Sequence, residues 1–477
     1  MSLTYEQTST TMFTHPLGLR IIMTPSRRTF LTASALSAAS YSRVWGANER
    51  IGLGFIGYGL MGKGHVATFS KFDDVALVAL AETHRGRLAE GQKAMGETAR
   101  GYADFRKLLE DKQVDAVVIA TPDHWHTLMA MLACAAGKDV YVEKPMTLFV
   151  REGRWLIDVA AKHKRIVQVG TQQRSGLHYQ RARDLILDGH IGQVVSVRMS
   201  AFRNITPGFG SPRNQDPPVD LDWDRWLGPA PARKYNPNRG LYHFRWFWDY
   251  AGGQMTNLGA HQLDIVDWIL DLSTLKNVAA IGSRFALTDN GETPDTQDVL
   301  FACDRYSAAF TMRECAAGVK PEFNLEFVGI KGTLGLSRAG FKITPDAHIL
   351  AANQVPGVKE GHPVGGPRPE LVDQPRAPRT AARVDQSGRS EEQYRLHARN
   401  FIDCIRSRKT PISDVESGHR VAVACHLGNL STRLGRSLKW DPKTETITDD
   451  AEATKLLTRP YRAPWDQELK AFGVTNS

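Results

Sequence analysis

Gly57, Gly59 and Gly62 stand in the spacing G-x-G-x-x-G, filled out by Tyr58, Leu60 and Met61, at the end of the apolar run Ile51 to Ile56. Glycines so spaced permit a tight turn, let a pyrophosphate approach the backbone, and let the next helix pack close to the strand. That helix then turns its free N–H groups toward the phosphates. An overlapping match, Gly52-Leu53-Gly54-Phe55-Ile56-Gly57, has no strand before its first glycine and is rejected on that ground. About 20 residues beyond Gly62, Glu82 closes a second apolar run, Val75 to Ala81. A carboxylate at that place accepts hydrogen bonds from ribose hydroxyls and repels a 2′-phosphate. The pattern therefore predicts a dinucleotide site that takes NAD in preference to NADP, although Arg85 and Arg87 lie close by.

Other residues with chemical potential follow strand ends. Thr121 with Pro122 follows the run Ala116 to Ala120, Glu143 and Lys144 follow Val140 to Val142, and Gln172 follows Ile166 to Val169. In parallel sheets, ligands bind beyond the carboxyl ends of strands. Further along, the segment Gly252 to Asp264 opens a helix that carries His261 and Asp264 at i and i+3, on one face. Such a pair ties a helix start together as readily as it does chemistry. Residues 223 to 248 hold Trp223, Trp226, Trp246 and Trp248 with Tyr235, Tyr242, Phe244 and Phe247. These rings either offer faces to sugar C–H groups, Trp248 among them, or pack a long loop. No His, Cys, Asp and Glu cluster with ligand spacing occurs, so no metal is expected. The five cysteines show neither a C-x-x-C spacing nor an even count, and Cys134, Cys404 and Cys425 fall in helical stretches as small core residues.

The elements that must position these groups alternate, strand and helix, from residue 49 to 171. This predicts an α/β chain with an N-terminal Rossmann domain, a doubly wound parallel sheet. Residues 172–390 carry strand-like stretches at Val194 to Phe202, Val278 to Leu287, Asp298 to Arg313 and Phe323 to Ile343. They predict a C-terminal α+β domain with a mostly antiparallel sheet, for substrate binding and oligomerisation. Within it, residues 353–390 are rich in Pro, Gly and Arg and read as a loop. Residues 391–477 supply amphipathic helices, at Glu391 to Arg406 and Glu416 to Leu434, and a tail that pack back on the core. A net charge of +9 hints at nucleic acid, but no run of five like charges and no basic stripe with aromatics is present. Diffuse charge of this kind is a solvated surface, so no nucleic-acid partner is expected.

Residues 1–47 read as an N-terminal extension with a Tat-type export signal. Arg27 and Arg28 precede a small-residue apolar stretch from Leu31 to Ala39, which is too short to span a membrane. Met23 lies just ahead of the arginine pair and is the expected true start. Export by the Tat machinery implies a periplasmic or otherwise exported protein, folded and loaded with cofactor before it leaves the cytoplasm.

Taken in order, GYGLMG, TPDHWH, VYVEKP and GGQMTNLGAHQLD resemble the glucose–fructose oxidoreductase and inositol dehydrogenase family (Gfo/Idh/MocA), its exported bacterial type. The resemblance runs from about residue 50 to the end. It implies that Lys144 of Glu-Lys-Pro is catalytic and that His261 is the family's histidine. Asn257 stands where the family's D-x-x-x-H arrangement has Asp, so His261 has an orienting amide beside it and no charge, unless Asp264 supplies one. Thr121, Pro122 and His126 match the segment flanking the nicotinamide. The implied activity is hydride transfer between NAD and a secondary alcohol of a sugar or polyol, with NAD prebound and recycled. The alternatives are epimerisation or glycoside cleavage by transient oxidation, or a sugar-binding protein without turnover. A homo-oligomer is expected, through the open face of the second sheet.

Overall fold

The computed structural model describes residues 50–318, 320–347 and 378–474. The twin-arginine segment and Met23 lie outside the described residues. Residues 51–477 form one compact unit.

The first domain starts with β1 (Ile51–Ile56), every residue of which is buried, because helices cover both faces of its sheet. Helix α1 (Leu60–Phe69) follows the glycine turn and leads to β2 (Val75–Ala81). Then come α2 (Arg85–Met95), β3 (Arg100–Tyr102), α3 (Phe105–Leu109), β4 (Ala116–Ile119), α4 (Asp123–Ala135), β5 (Asp139–Val142), α5 (Val150–Lys162) and β6 (Val167–Val169). The six strands pair in parallel in the order β3-β2-β1-β4-β5-β6. The order reverses at β1 and β4, which opens a crevice at their carboxyl ends. Helix α4 starts four residues earlier than its apolar period suggests, since Pro122 precedes it and Asp123 sits in its first turn.

After a short 3₁₀ turn, Gln172–Ser175, and α6 (Leu177–Leu187), the chain enters a second sheet at β7 (Val194–Phe202). A long excursion follows, carrying α7 (Trp223–Leu227). A π-helical turn, Met255–Gly259, then runs into α8 (Ala260–Leu270). The sheet continues with β8 (Leu275–Ser283), β9 (Thr296–Cys303), β10 (Ser307–Arg313), β11 (Leu325–Gly329), β12 (Gly332–Ser337), β13 (Gly340–Pro345) and β14 (Arg383–Asp385). Thus Asp298 to Arg313 holds parts of two strands and Phe323 to Ile343 parts of three. The Pro/Gly/Arg-rich stretch is not wholly loop, because Arg383–Asp385 pairs with β13. After α9 (Ser390–Ser407) and α10 (Val415–Leu434), β15 (Leu438–Asp441) and β16 (Thr446–Ile447) complete the sheet. Its ten strands run β14-β13-β12-β11-β7-β10-β9-β8-β15-β16, and all pairs are antiparallel except β7 with β10.

Alternation sets the two faces of this sheet. Val278, Val299, Phe301, Phe310, Phe327 and Leu334 point inward and pack against α8 and α10 in one core. On the other face Ile281 and Leu300 are 74% and 60% exposed. Helix α9 returns to the first domain, where Ala398, Phe401 and Ile402 pack with Leu53, Phe55 and Tyr141. The tail returns as well: Tyr461, Trp465 and Leu469 join Phe105 and Trp125. In the excursion, Trp223, Trp226, Tyr235, Phe244, Trp246, Phe247 and Tyr250 form a buried cluster of their own. Packing therefore accounts for most of those rings.

Candidate active site

A cavity of about 520 Å³ lies at the carboxyl ends of β1, β2, β4 and β5, within the size range of small-molecule sites. Gly57, Gly59, Leu60, Met61, Glu82, Thr121, Pro122, His126, Glu143, Lys144, Gln172, Asn257 and His261 all line it. The structure thus brings together residues about two hundred positions apart, Gly57 and His261 among them. Gly62, Tyr58, Trp248 and Asp264, also candidate site residues, do not line it. Gly62 is a packing position, where a Cβ would lie 2.1 Å from the Gly57 carbonyl oxygen. Tyr58 turns its ring into the core and presents only its backbone N–H, which donates to Glu82 Oε2 (2.8 Å). Trp248 sits at a separate cleft of about 30 Å³, with the Arg433 guanidinium 5.0 Å from its ring centroid. Asp264 is fully buried and is held by Arg174 Nε (2.9 Å), so it gives no charge to His261.

The glycine turn fits a dinucleotide. Gly57 has φ +90°, open to glycine without strain, and a Cβ there would meet the Ala120 carbonyl oxygen at 2.8 Å. A Cβ on Gly59 would meet nothing nearer than Arg87 Nη1 at 3.7 Å, so this backbone faces open cavity. Glu82 braces the turn from β2, accepting the N–H groups of Tyr58 (2.8 Å) and His84 (3.0 Å). Replacing Glu82 by alanine is expected to weaken NAD about tenfold or more and to narrow the margin over NADP. Fluorescence titration of the two cofactors reads both effects, and an unchanged NAD/NADP ratio would remove Glu82 from cofactor choice.

Around the far end of the cavity the groups are densely bonded. His126 sits between two carbonyl oxygens, Pro145 O at 2.6 Å from Nδ1 and Thr121 O at 2.9 Å from Nε2, which ties the loops after β4 and β5. Glu143 pairs with His65 Nε2 (2.8 Å) and accepts from Gln172 Nε2 (2.9 Å). Burial pushes the Glu143 carboxyl up, but His65, through its hydrogen bond and charge, together with Lys144 and His126 more than offsets it, leaving it below the usual range. Burial pushes the Lys144 amine down, and Glu143 and Asp123 only partly restore it. Burial also drives His261 well below the ordinary imidazole range, with Lys144 and Arg338 adding to the effect. His261 is therefore neutral near pH 7, and its buried Nδ1 has no hydrogen-bond partner among the described residues.

Asn257 owes its orientation to a relay. Lys144 Nζ donates to its carbonyl oxygen (2.8 Å) and to its Oδ1 (2.9 Å), while its Nδ2 donates to Gln254 Oε1 (3.1 Å). Gln254 Nε2 in turn donates to Glu314 Oε1 (3.0 Å), a buried carboxylate that also receives Arg203 Nε (2.7 Å) and, through Oε2, Trp246 Nε1 (2.6 Å). An ionised carboxylate only accepts. Glu314 thus fixes which end of Gln254 faces Asn257, and so which end of Asn257 faces Lys144. The π-helical turn places this amide at the cavity wall; such turns recur at functional sites. Asn257→Asp would set a carboxylate against both Lys144 and the Gln254 carbonyl. It is expected to raise the proton affinity of Lys144 and His261 and to move both limbs of the kcat/KM pH profile upward, by about one unit or more. A profile that stays in place would separate Asn257 from the titrating groups.

Asp123 and Arg245 also line the cavity, although the sequence did not single them out as site residues. Asp123 sits between Pro122 and the histidines of TPDHWH, in the first turn of α4. Arg245 comes from the aromatic excursion, where no spacing rule points to it. Among the described residues no group of three or more His, Cys, Asp or Glu is placed to hold a metal ion, and no helix is long and apolar enough to cross a membrane.

Residues 51–171 match the oxidoreductase family's NAD-binding Rossmann fold, and residues 175–280 and 376–467 match that family's C-terminal alpha/beta domain. The chain belongs to the Gfo/Idh/MocA oxidoreductase family, and its first domain is an NAD-binding Rossmann domain. Inositol 2-dehydrogenase 2 of Saccharopolyspora erythraea is 28% identical over 250 residues, which cover 52% of this chain and 61% of that protein. Myo-inositol 2-dehydrogenase of Thermotoga maritima is 27% identical over 149 residues, covering 31% and 44%. The matches thus span about half the length of such relatives. Among solved structures, the WlbA dehydrogenase of Bordetella pertussis in complex with NADH and UDP-GlcNAcA has a TM-score of 0.59 at 19% identity, covering 82% of this chain and 99% of that one. Levoglucosan dehydrogenase in complex with NADH and levoglucosan has a TM-score of 0.61 at 17% identity, with the same coverage. At these identities the structures show a shared fold.

Proposed function

We propose that the protein is an NAD-dependent oxidoreductase that moves hydride between the nicotinamide and a secondary alcohol of a sugar or polyol. One observation carries this reading: Lys144, half-buried, and His261, buried, both pushed toward their neutral forms, share a cavity wall with the glycine turn. Bound NAD supplies the hydride acceptor. As the alcohol carbon gives up hydride, the neutral His261 ring takes the hydroxyl proton, and a carbonyl forms. Lys144 donates a hydrogen bond to the same oxygen and stabilises its developing charge. Asn257 holds the Lys144 amine in place without a competing negative charge. The names of the relatives, inositol 2-dehydrogenase and levoglucosan dehydrogenase, agree with a polyol or sugar as substrate.

A screen of sugars and polyols against NAD-loaded protein, followed through the absorbance of reduced nicotinamide, tests the reading. Growth of that band with at least one polyol or sugar is the expected result; silence across the panel in both directions would overturn it.

Two further features belong to the same reading. The Arg27-Arg28 pair and the Leu31 to Ala39 stretch support export through the Tat route, with NAD loaded first and retained. Mass spectrometry of desalted mature protein should find near-stoichiometric NAD, and its absence would refute retention. The exposed Ile281, Phe285 and Leu300 beside the second sheet support a homo-oligomer.

A further inference from the structure

The charges at the substrate end of the cavity narrow the class of molecule that enters. Arg245 lines the wall with Lys144 and His261. Its guanidinium lies 4.6 Å from the Phe244 ring centroid and 5.1 Å from that of Tyr242, and Nη1 donates to the Tyr242 carbonyl (3.0 Å). Two rings and a carbonyl hold it in place, yet no carboxylate among the described residues pairs with it. A third cation, Arg338, stands near enough to act on both Lys144 and His261. Two acids face these cations. Glu143 is already taken by His65 and Gln172. Asp123 is 8% exposed, has no ion pair among the described residues, and is pushed up by burial. Lys144 and Arg245 also repel one another. A fixed, half-buried guanidinium with free donors beside the reacting groups matches carboxylate geometry, because its planar fork can donate two parallel hydrogen bonds.

We propose that the substrate carries an anionic group, a carboxylate on a sugar or polyol, and that Arg245 receives it while Asp123 takes a hydrogen bond from a hydroxyl. This rests on the sugar or polyol reading above and names its class. A phosphate ester presents the same anionic oxygens, so the two sources must be told apart by experiment.

The test is calorimetric binding to NAD-loaded protein of glucuronate and galacturonate, of glucose and galactose, and of glucose 6-phosphate. The uronates are expected to bind about ten- to hundredfold more tightly than the parent sugars, with the gap shrinking as salt rises. Arg245→Gln should erase that gap while leaving NAD content and melting temperature unchanged. Equal affinity for acidic and neutral sugars, or a preference that survives Arg245→Gln, overturns the proposal. Loss of NAD from Arg245→Gln also overturns it, since the guanidinium would then serve the cofactor. Tighter binding of the phosphate ester than of either uronate overturns the carboxylate assignment. Oxidation of neutral polyols with no uronate binding sinks this inference and leaves hydride transfer standing. Uronate binding with no redox change in any sugar does the reverse.

Discussion

Lys144→Ala lowers kcat/KM for the best substrate of the screen by about a hundred- to thousandfold and leaves NAD bound. The size follows from removing one preorganised donor at an oxygen that gains negative charge in the transition state. Retention of NAD follows from what the Lys144 amine touches: its hydrogen bonds run to Asn257, and among the described residues none runs to the glycine turn or to Glu82. The loss should fall mainly on kcat, because the interaction strengthens as charge develops. Steady-state kinetics and the nicotinamide content of the purified variant read the two halves independently. A variant that turns over normally would remove Lys144 from the chemistry. One that loses NAD as well would make it a cofactor ligand.

Arg174→Met destabilises the fold by about 3–5 kcal/mol, the usual consequence of leaving a buried charge without its partner. Arg174 side-chain exposure is 5%, and it serves both Asp264 Oδ2 (2.9 Å) and Asp267 Oδ2 (3.2 Å). Asp267 retains Arg420 Nε at 2.8 Å, but among the described residues Asp264 has no second cation. Even with Arg174 present, burial pushes the Asp264 carboxyl up to about 6. In the variant it rises further, so the folded state binds a proton that the unfolded state releases. Stability then falls as pH rises through that range, and the deficit is larger at pH 8 than at pH 5. Urea unfolding at the two pH values measures this. The double variant Arg174→Met, Asp264→Asn should recover most of the loss, and failure to recover would place the damage in packing.

The first domain was legible because its signals are contiguous. A fully apolar strand, glycines at fixed offsets and a carboxylate at the next strand end all lie between Ile51 and Glu82. The edge strand β3 was not, since its three residues are intermediate or exposed and carry no apolar period. In the second domain, alternation revealed strands but not their order. The parallel pairing of β7 with β10 joins residues about a hundred positions apart, and no local pattern encodes it. The site divides the same way. Residues at strand ends, such as Thr121, Lys144 and Gln172, could be found from the sheet rule. Asp264 could not be placed by helical spacing, because its partner Arg174 comes from a different element. Trp248 was drawn in by its aromatic neighbours, although the excursion buries most of those rings against one another.

The relay from Glu314 to Lys144 has a consequence for descent. Its polarity is read in one direction, from an acid that accepts, through two amides, to an amine that donates. An acid at position 257 and an acid at position 314 oppose each other across Gln254, whichever way that amide turns. Homologues with Asp at position 257 should therefore lack the acid at 314, or the amide at 254, so that these positions vary together.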